Sequence, residues 1–437
     1  MRKSLTYKIL AAVMALSAVN VFVPHNMLAY VITSDNTTIS PEEPINDNIY
    51  GNGYSFTITG GTIDGNVYGV GNDNYDKAAS GGNVTLSGGF VFHAYGGDSQ
   101  SGKVYNNTVN ISGGSVLDDV YGGDSEMGEV YNNTVNISGD AKVIVGTVYG
   151  GYSDGGNAYD NEVIISDSAN IENASLYGSN SSNNTGNTLT IDGWSGRTNS
   201  VQNFNDIAFK NIDWNDEEPV LRIRRGDLKN TKIDTIHIAG GSNINVGESM
   251  TLIKSGNDIN LGLTKDNVTD TFTAGVAREG LGSTSVDGNG NVTFKVNSIK
   301  LSRQAVSAAQ TRAASATFLN QGTDLISDSL DTISRDDNYG VKTFAAVQGN
   351  RSKYDVADDI KINGWSTIVG VGNADKFDNG SELSWGVFYE NGSGNYRTYN
   401  SFNNEFFRGD GSMVYNGGGI AARYENKNGV YTEGLLR

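Results

Sequence analysis

The sequence predicts an all-β protein: a right-handed parallel β-helix, a short α-helical linker, then part of an antiparallel transmembrane β-barrel. Three observations carry this. A Tyr-Gly signature recurs at Tyr68, Tyr95, Tyr121, Tyr149 and Tyr177, at intervals of 27, 26, 28 and 28 residues. A short strand of alternating apolar and small polar residues follows each of these turns. Composition then changes at Leu301, where an Ala-, Ser- and Gln-rich stretch leads into long alternating strands. A fixed period of this length marks a solenoid, in which each coil buries its apolar face only against its neighbours. The handedness is the expectation for such folds and is not contained in the spacing.

Composition narrows the function classes. The 437 residues include 57 Gly, 4 Pro and no Cys, and 37% are hydrophobic, which argues against one large compact core. A net charge of −18 argues against nucleic acid as a partner, because phosphate binding needs clustered Lys and Arg. Residues 1–29 read as a secretory signal, with Arg2, Lys3 and Lys8 ahead of an apolar run from Ile9 to Val23 and cleavage after Ala29. No later stretch is apolar enough to span a bilayer as a helix, so membrane entry would be by β-barrel. The missing cysteines suit a chain that stays unfolded while crossing a second membrane.

Residues 30–193 form the repeat region. The strands after the Tyr-Gly turns place Val84, Val109, Val135, Val163 and Leu189 in one internal ladder if coils stack at about 4.8 Å. No proline occurs between Pro44 and Pro219, as expected where strands need every backbone donor. Residues 194–299 lose the spacing but keep strand-like runs at Val220–Ile223, Lys232–Ile238, Ser249–Ile253, Thr269–Phe272 and Asn291–Val296. They are expected to be irregular β-helix ending in a cap that hides the open edge.

Several residues invite a chemical reading. Tyr105, Tyr131 and Tyr159, each before an Asn- or Asp-rich turn, form a candidate exposed ladder for stacking on sugars or peptides. Asp98 and Asp124, one coil apart, are candidates for calcium, but they miss the nonapeptide calcium pattern and the next coil moves its acid to Asp154. Gly97-Asp98-Ser99 and Gly123-Asp124-Ser125 look like nucleophile contexts. They are duplicated at equivalent repeat positions, and beyond the signal only His93 and His237 are available as bases. Asn-Asn-Thr at Asn106 and Asn132 reads as repeat grammar, without a glycan. No phosphate loop, metal spacing or dinucleotide fingerprint occurs. The expectation is no enzyme, no catalytic residue, no metal and no cofactor. A secreted β-helix enzyme acting on glycans is the alternative, and a calcium-stabilised surface-layer module a third.

Residues 300–339 read as a linker helix. Val306, Ala309, Ala313, Ala316 and Leu319, then Leu325, Ile326, Leu330 and Ile333, mark its apolar face, with Gly322 as a candidate break. In residues 340–437, Leu383, Trp385, Val387 and Tyr389 face one side while Ser384 and Gly386 face the other. Val341 to Val347, Trp365 to Val371 and Ile420 to Tyr424 repeat the pattern of a transmembrane barrel strand.

Signal, Gly/Asn-rich β-helix, junction, helix and alternating strands, in that order, resemble the autotransporters of the Gram-negative outer membrane (type V secretion). Leu383 to Asn391, Gly409-Asp410-Gly411 and Gly418 to Glu433 look like strands of their barrels. The resemblance implies a monomeric barrel in the outer membrane, placed there by the barrel-assembly machinery. It implies a β-helix passenger displayed on the cell surface as an adhesin, for a ligand (cell surface, glycan or matrix) that the sequence does not name. The helix Ser302 to Ser334 would lie in the lumen, and residues 194–299 would be the junction. Two departures follow. Val341 to Arg437 has room for about five or six spanning strands, roughly half of what the resemblance implies, and Leu435-Leu436-Arg437 lacks the terminal aromatic. The chain is therefore expected to be a C-terminally truncated record. Asn320-Gln321 does not match the paired asparagines at which some passengers are cleaved. A trimeric relative would require a heptad coiled coil, and none is visible.

Overall fold

A computed structural model describes residues 30–437, apart from 72–76, 181–184, 215–217, 257–259, 336–339, 357 and 403–404. The expected signal segment, 1–29, lies outside the described residues. The chain is mostly β, with 58% strand, and divides into two units, residues 1–300 and 301–437.

The first unit is a parallel β-solenoid of about seven turns. The internal ladder is in register: Phe56 pairs with Val84, then Val109, Val135, Val163, Leu189 and Ile207 follow on successive strands. A second column two residues on runs through Ile58, Leu86, Ile111, Ile137, Ile165, Ile191, Phe209 and Ile236. Most of these side chains are fully buried. Period-2 alternation sends every second residue inward, so each rung contributes one apolar contact to the rung above and below.

Stacking does not stop where the sequence period does. Thr188 to Asp192 pairs in register with Asp206 to Lys210 although the coil between them has shrunk to 18 residues. Trp194, 5% exposed, closes the shortened turn by donating its indole N–H to the Ala169 carbonyl at 2.8 Å. Parallel pairing continues to His237 and Thr273. The stack then ends in antiparallel pairs, Ser249 to Ile253 with Val292 to Lys295, and Thr271–Ala274 with Arg278 to Leu281. The strand Arg278–Val286 escaped the sequence reading because Gly and Ser interrupt its apolar alternation.

The second unit is one helix, Arg303–Arg335, on an antiparallel sheet of five strands in chain order. The strands are Lys342–Val356, Asp358–Lys376, Glu382–Phe402, Glu405–Glu425 and Tyr431–Leu436. The helix runs through Gly322 without a break. A side chain there would come within 2.4 Å of the Tyr415 hydroxyl, so glycine is required by a close approach and not by a bend. The C-terminal half of the expected apolar face is correct: Leu325, Ile326, Leu330 and Ile333 are buried. In the N-terminal half it is displaced. Ala309, Ala313, Ala316 and Leu319 are exposed, and Gln310, Ala314 and Phe318 face the sheet. The sheet there offers polar partners: the Thr311 hydroxyl meets the Tyr396 hydroxyl at 3.1 Å, and Ser315 lies 3.7 Å from Met413 Sδ. Phe318 and Ala314 pack there against Ile360 and Ile362, so this apolar contact and the hydrogen bonds together set that half of the helix's rotation.

The helix is also held by ions. Arg437 pairs with the buried Glu390 (Nη2–Oε2 2.7 Å) and donates to the Leu319 carbonyl at 2.8 Å. Arg423 pairs with Asp331 of the helix at 3.1 Å and stacks on Tyr431.

Candidate binding face: two tyrosine ladders on the solenoid

Each Tyr-Gly turn puts its tyrosine outside and the preceding apolar residue inside. Tyr50, Tyr68, Tyr95, Tyr121 and Tyr149 are in register and stack nearly parallel, with centroid separations of 5.0, 4.7, 4.7 and 5.2 Å. Tyr177 continues the column at 5.4 Å with a 39° tilt, and Tyr152 sits edge-on to Tyr121 and Tyr149. Tyr50 extends the series one coil below the first Tyr-Gly turn read from sequence. The glycine after each tyrosine lets coils approach: a Cβ on Gly96 would lie 2.3 Å from the Gly122 carbonyl oxygen.

Two residues before each tyrosine, a polar group shares its face. Asn48 and Asn66 donate to the hydroxyls of Tyr50 and Tyr68, and the Tyr121 hydroxyl donates to Asp119 at 3.0 Å. Burial pushes the Tyr68 phenol up to about 12, and it raises Tyr95 and Tyr121 further, so all stay neutral.

Asp98 and Asp124 are in register on adjacent coils. Burial raises the Asp98 carboxyl to about 6, with Glu126 adding repulsion. Burial, then Asp98 and Asp154, raise Asp124 to about 7. Asp154 does not join them. Tyr152 takes the third register position, and its hydroxyl donates to Asp154 at 2.8 Å. Among the described residues no group of three or more His, Cys, Asp or Glu is placed to hold a metal ion.

The serines of the Gly-Asp-Ser segments are turn clasps. Ser99 and Ser125 are buried; their hydroxyls donate to the Lys77 and Gly102 carbonyls at 2.8 and 3.1 Å and accept from the amides of Gly102 and Gly128. Ser153 repeats the arrangement with Gly128 and Gly156. His93 lies 3.9 Å from Asp118, and His237 meets Thr273 at 2.6 Å.

Tyr105, Tyr131 and Tyr159 form the second ladder, in register on their own small sheet, with ring centroids 5.1 Å apart and planes within 8°. Lys103 and Glu129 form an ion pair of 2.8 Å beside it. The ladder exists, but its geometry corrects the stacking mode expected from sequence. Both faces of Tyr131 are covered by its neighbours, so the middle ring offers only its edge and hydroxyl. Rungs about 4.8 Å apart leave no room for a sugar between rings.

A third ladder is internal, and the sequence reading missed it. Asn107, Asn133, Asn161 and Asn187 are buried, and each donates its backbone N–H and its side-chain amide, except that Asn187 gives only its backbone N–H, to the next asparagine, ending at Asn205. The side-chain amides also donate to carbonyls of the preceding coil, including Ala79, Val104 and Val130. The residue before each, Asn106, Asn132, Asp160 or Gly186, has positive φ, a conformation for which Asn, Asp and Gly carry the least cost. The Asn-Asn-Thr repeat is thus a left-handed turn residue followed by a ladder amide. The signal was the recurrence of an asparagine one residue before the strands that begin at Thr108, Thr134, Glu162 and Thr188.

A parallel β-solenoid, and separately an antiparallel sheet carrying one helix, is the class this architecture defines. The chain matches no family model, no curated protein and no solved structure.

Proposed function

We propose that the chain is a self-exported surface protein, an autotransporter-like adhesin. In this proposal the five-stranded sheet is part of an outer-membrane barrel, and the solenoid is its displayed passenger. The observation that supports it most is the face of the sheet turned away from the helix. Register aligns Leu383 with Tyr424, Trp385 with Ala422, Val371 with Val387 and Ile420, Val369 with Tyr389, and Trp365 with Ser393 and Val414. Trp365, Val369, Val371, Trp385, Val387, Tyr389, Val414, Ile420 and Tyr424 are all exposed. The band spans about ten residues along the strands, the length that crosses a bilayer as a tilted strand. It has Trp or Tyr at both ends, and the strands then run on into the charged row Lys353, Lys361, Arg397 and Asp410.

The opposite face, under the helix, mixes buried Ser366, Ser384, Glu390 and Thr398 with buried Ile360, Ile362, Ile368 and Phe388. A sheet with one face under a helix and the other in water keeps the outward face polar; this one is apolar on its outward face as well. The proposal also requires further strands, because an open edge cannot sit in lipid, and it carries no catalytic step.

Surface proteolysis of intact cells expressing the gene, with membrane fractionation, tests it. Protease that removes the solenoid while residues 340–437 stay protected in the outer membrane supports the proposal. Soluble protein in the medium, with every segment cut alike, defeats it.

A further inference from the structure

The outward face of the five-stranded sheet changes chemistry in three successive rows toward one end. The first row closes the apolar band, with Trp365 in register with Ser393 and Val414. Two residues on along each strand, the second row is Arg351, Asn363, Asn395 and Ser412. Two further on, the third is Lys353, Lys361, Arg397 and Asp410. Every residue of the second and third rows is exposed. Neighbours within a row stand about 4.8 Å apart, and the third row lies about 13 Å along the strand from Trp365.

In a chain of net charge −18, the third row sets Lys353 opposite Lys361 and Lys361 opposite Arg397. Like charges directly opposite on neighbouring strands are destabilising by themselves. The acids of this end are engaged at its margins, Asp359 with Lys353 at 3.0 Å and Asp410 with Arg408 at 3.4 Å. An anion spanning Lys361 and Arg397 relieves the repulsion, and the Arg397 guanidinium is shaped to grip a phosphate with two parallel N–H donors. This is also the end at which the helix begins. Thr311 and Ser315 of its N-terminal half meet Tyr396 and Met413, whereas the Ile333 carbonyl near its C-terminus accepts from Lys342 at the opposite end.

We propose that this face binds a phosphorylated glycolipid. Its acyl chains lie on the band that ends at Trp365, its sugar on the row of Asn363, Asn395 and Ser412, and a phosphate on Lys361 and Arg397. The occupant follows from the order of the rows. Apolar, then amide and hydroxyl, then cation is the complement of an anionic amphiphile read from tail to head, and a free anion would need only the last row. Cations beside a bilayer surface each add to the hold on anionic headgroups. In the topology proposed above, the displayed solenoid departs from the helix N-terminus, which assigns the row to the outer leaflet. The inference rests on that reading and names the lipid class.

The full chain, purified in a neutral detergent, is titrated with fluorescently labelled lipid A, an acylated glucosamine disaccharide bearing phosphate monoesters, and with its dephosphorylated form. The expected result is binding of lipid A about tenfold or more tighter than of the dephosphorylated form. Lys361→Gln combined with Arg397→Gln should remove that preference, and Lys427→Gln, in the exposed turn at the opposite end of the sheet, should keep it. Excess inorganic phosphate should leave the lipid bound, since the acyl chains supply the remaining affinity. The comparison of the two lipids needs no variant, so a misfolded double variant does not hide the answer. Equal binding of the two lipids, or displacement by inorganic phosphate, overturns the phosphate site and leaves the lipid-facing band standing. Failure of both lipids to bind overturns the site and the band together.

Discussion

Asn133 Oδ1 accepts two hydrogen bonds from Asn107, one from the backbone N–H at 3.1 Å and one from Nδ2 at 3.0 Å. Repeated coil by coil, this relationship satisfies turn amides that the strand ladders leave over, inside a core that water does not reach. Removing one rung orphans donors on the coil before it. Asn133→Ala is expected to cost about 2–4 kcal/mol, since each buried unsatisfied group costs about 1–3 kcal/mol. Urea denaturation of the full chain measures it. A loss under about 0.5 kcal/mol would mean that the ladder is incidental.

The Asp98–Asp124 pair makes stability depend on pH. Both carboxyls are raised in the folded state, to about 6 and about 7, by burial first and by neighbouring carboxylates second. A raised carboxyl binds its proton more tightly when folded. The pair's contribution to stability is therefore greatest below about pH 4, falls as pH rises to about 7, and is flat beyond. The groups facing the pair are Glu126, Asp119, Asp154 and the phenols of Tyr68, Tyr95, Tyr121, Tyr149 and Tyr152; none supplies a positive charge. The double change Asp98→Asn and Asp124→Asn should raise the melting temperature at pH 8 and flatten its slope between pH 4 and 7. An unchanged slope would show that water or counter-ions already solvate the pair.

The buried serines separate a structural role from a catalytic one. Ser125→Ala removes a donor to Gly102 and an acceptor for Gly128, with an expected loss of about 1–2 kcal/mol. A fluorophosphonate probe should leave Ser99 and Ser125 unlabelled, because both hydroxyls are buried and engaged. Labelling lost in Ser125→Ala would reopen the enzyme alternative.

Glu390 and Arg437 tie the helix to its sheet. Arg437→Met leaves the Glu390 carboxylate buried without its partner, and losing one member of such a pair costs about 3–5 kcal/mol. Limited proteolysis should then cut within the helix Arg303–Arg335 at protease levels that spare the parent. Gly322→Leu should do the same by displacing Tyr415.

A charge on the outward band distinguishes lipid from water. Val387→Arg places a guanidinium among Val371, Trp385, Tyr389 and Ile420, and at a bilayer midplane such a change costs about 2–4 kcal/mol. Outer-membrane assembly in cells expressing the gene, read by protection of residues 340–437 from protease, should fall for Val387→Arg and not for Ser384→Thr. Equal protection would leave the apolar band without a lipid to face.

The sequence by itself determined the columns. A period of 26 to 28 residues with Val, Leu or Ile two positions apart fixes which residues point inward, because strands alternate and parallel rungs repeat. The alternation in Leu383 to Tyr389 likewise separated the outward from the covered face of the sheet. Tertiary structure alone decided three things. The shortened coil after Asn187 kept its stacking because pairing depends on register, not on how many residues lie between rungs. Gln310, Ala314 and Phe318, rather than the alanine stripe, met the sheet because Ile360 and Ile362 stand opposite Phe318 and Ala314 while the Tyr396 hydroxyl meets Thr311. The tyrosines of the second ladder turned their faces to one another, since rings in register about 5 Å apart are nearer to each other than to any ligand. Periodicity fixes which residues share a column, but how each side chain turns depends on what stands opposite it.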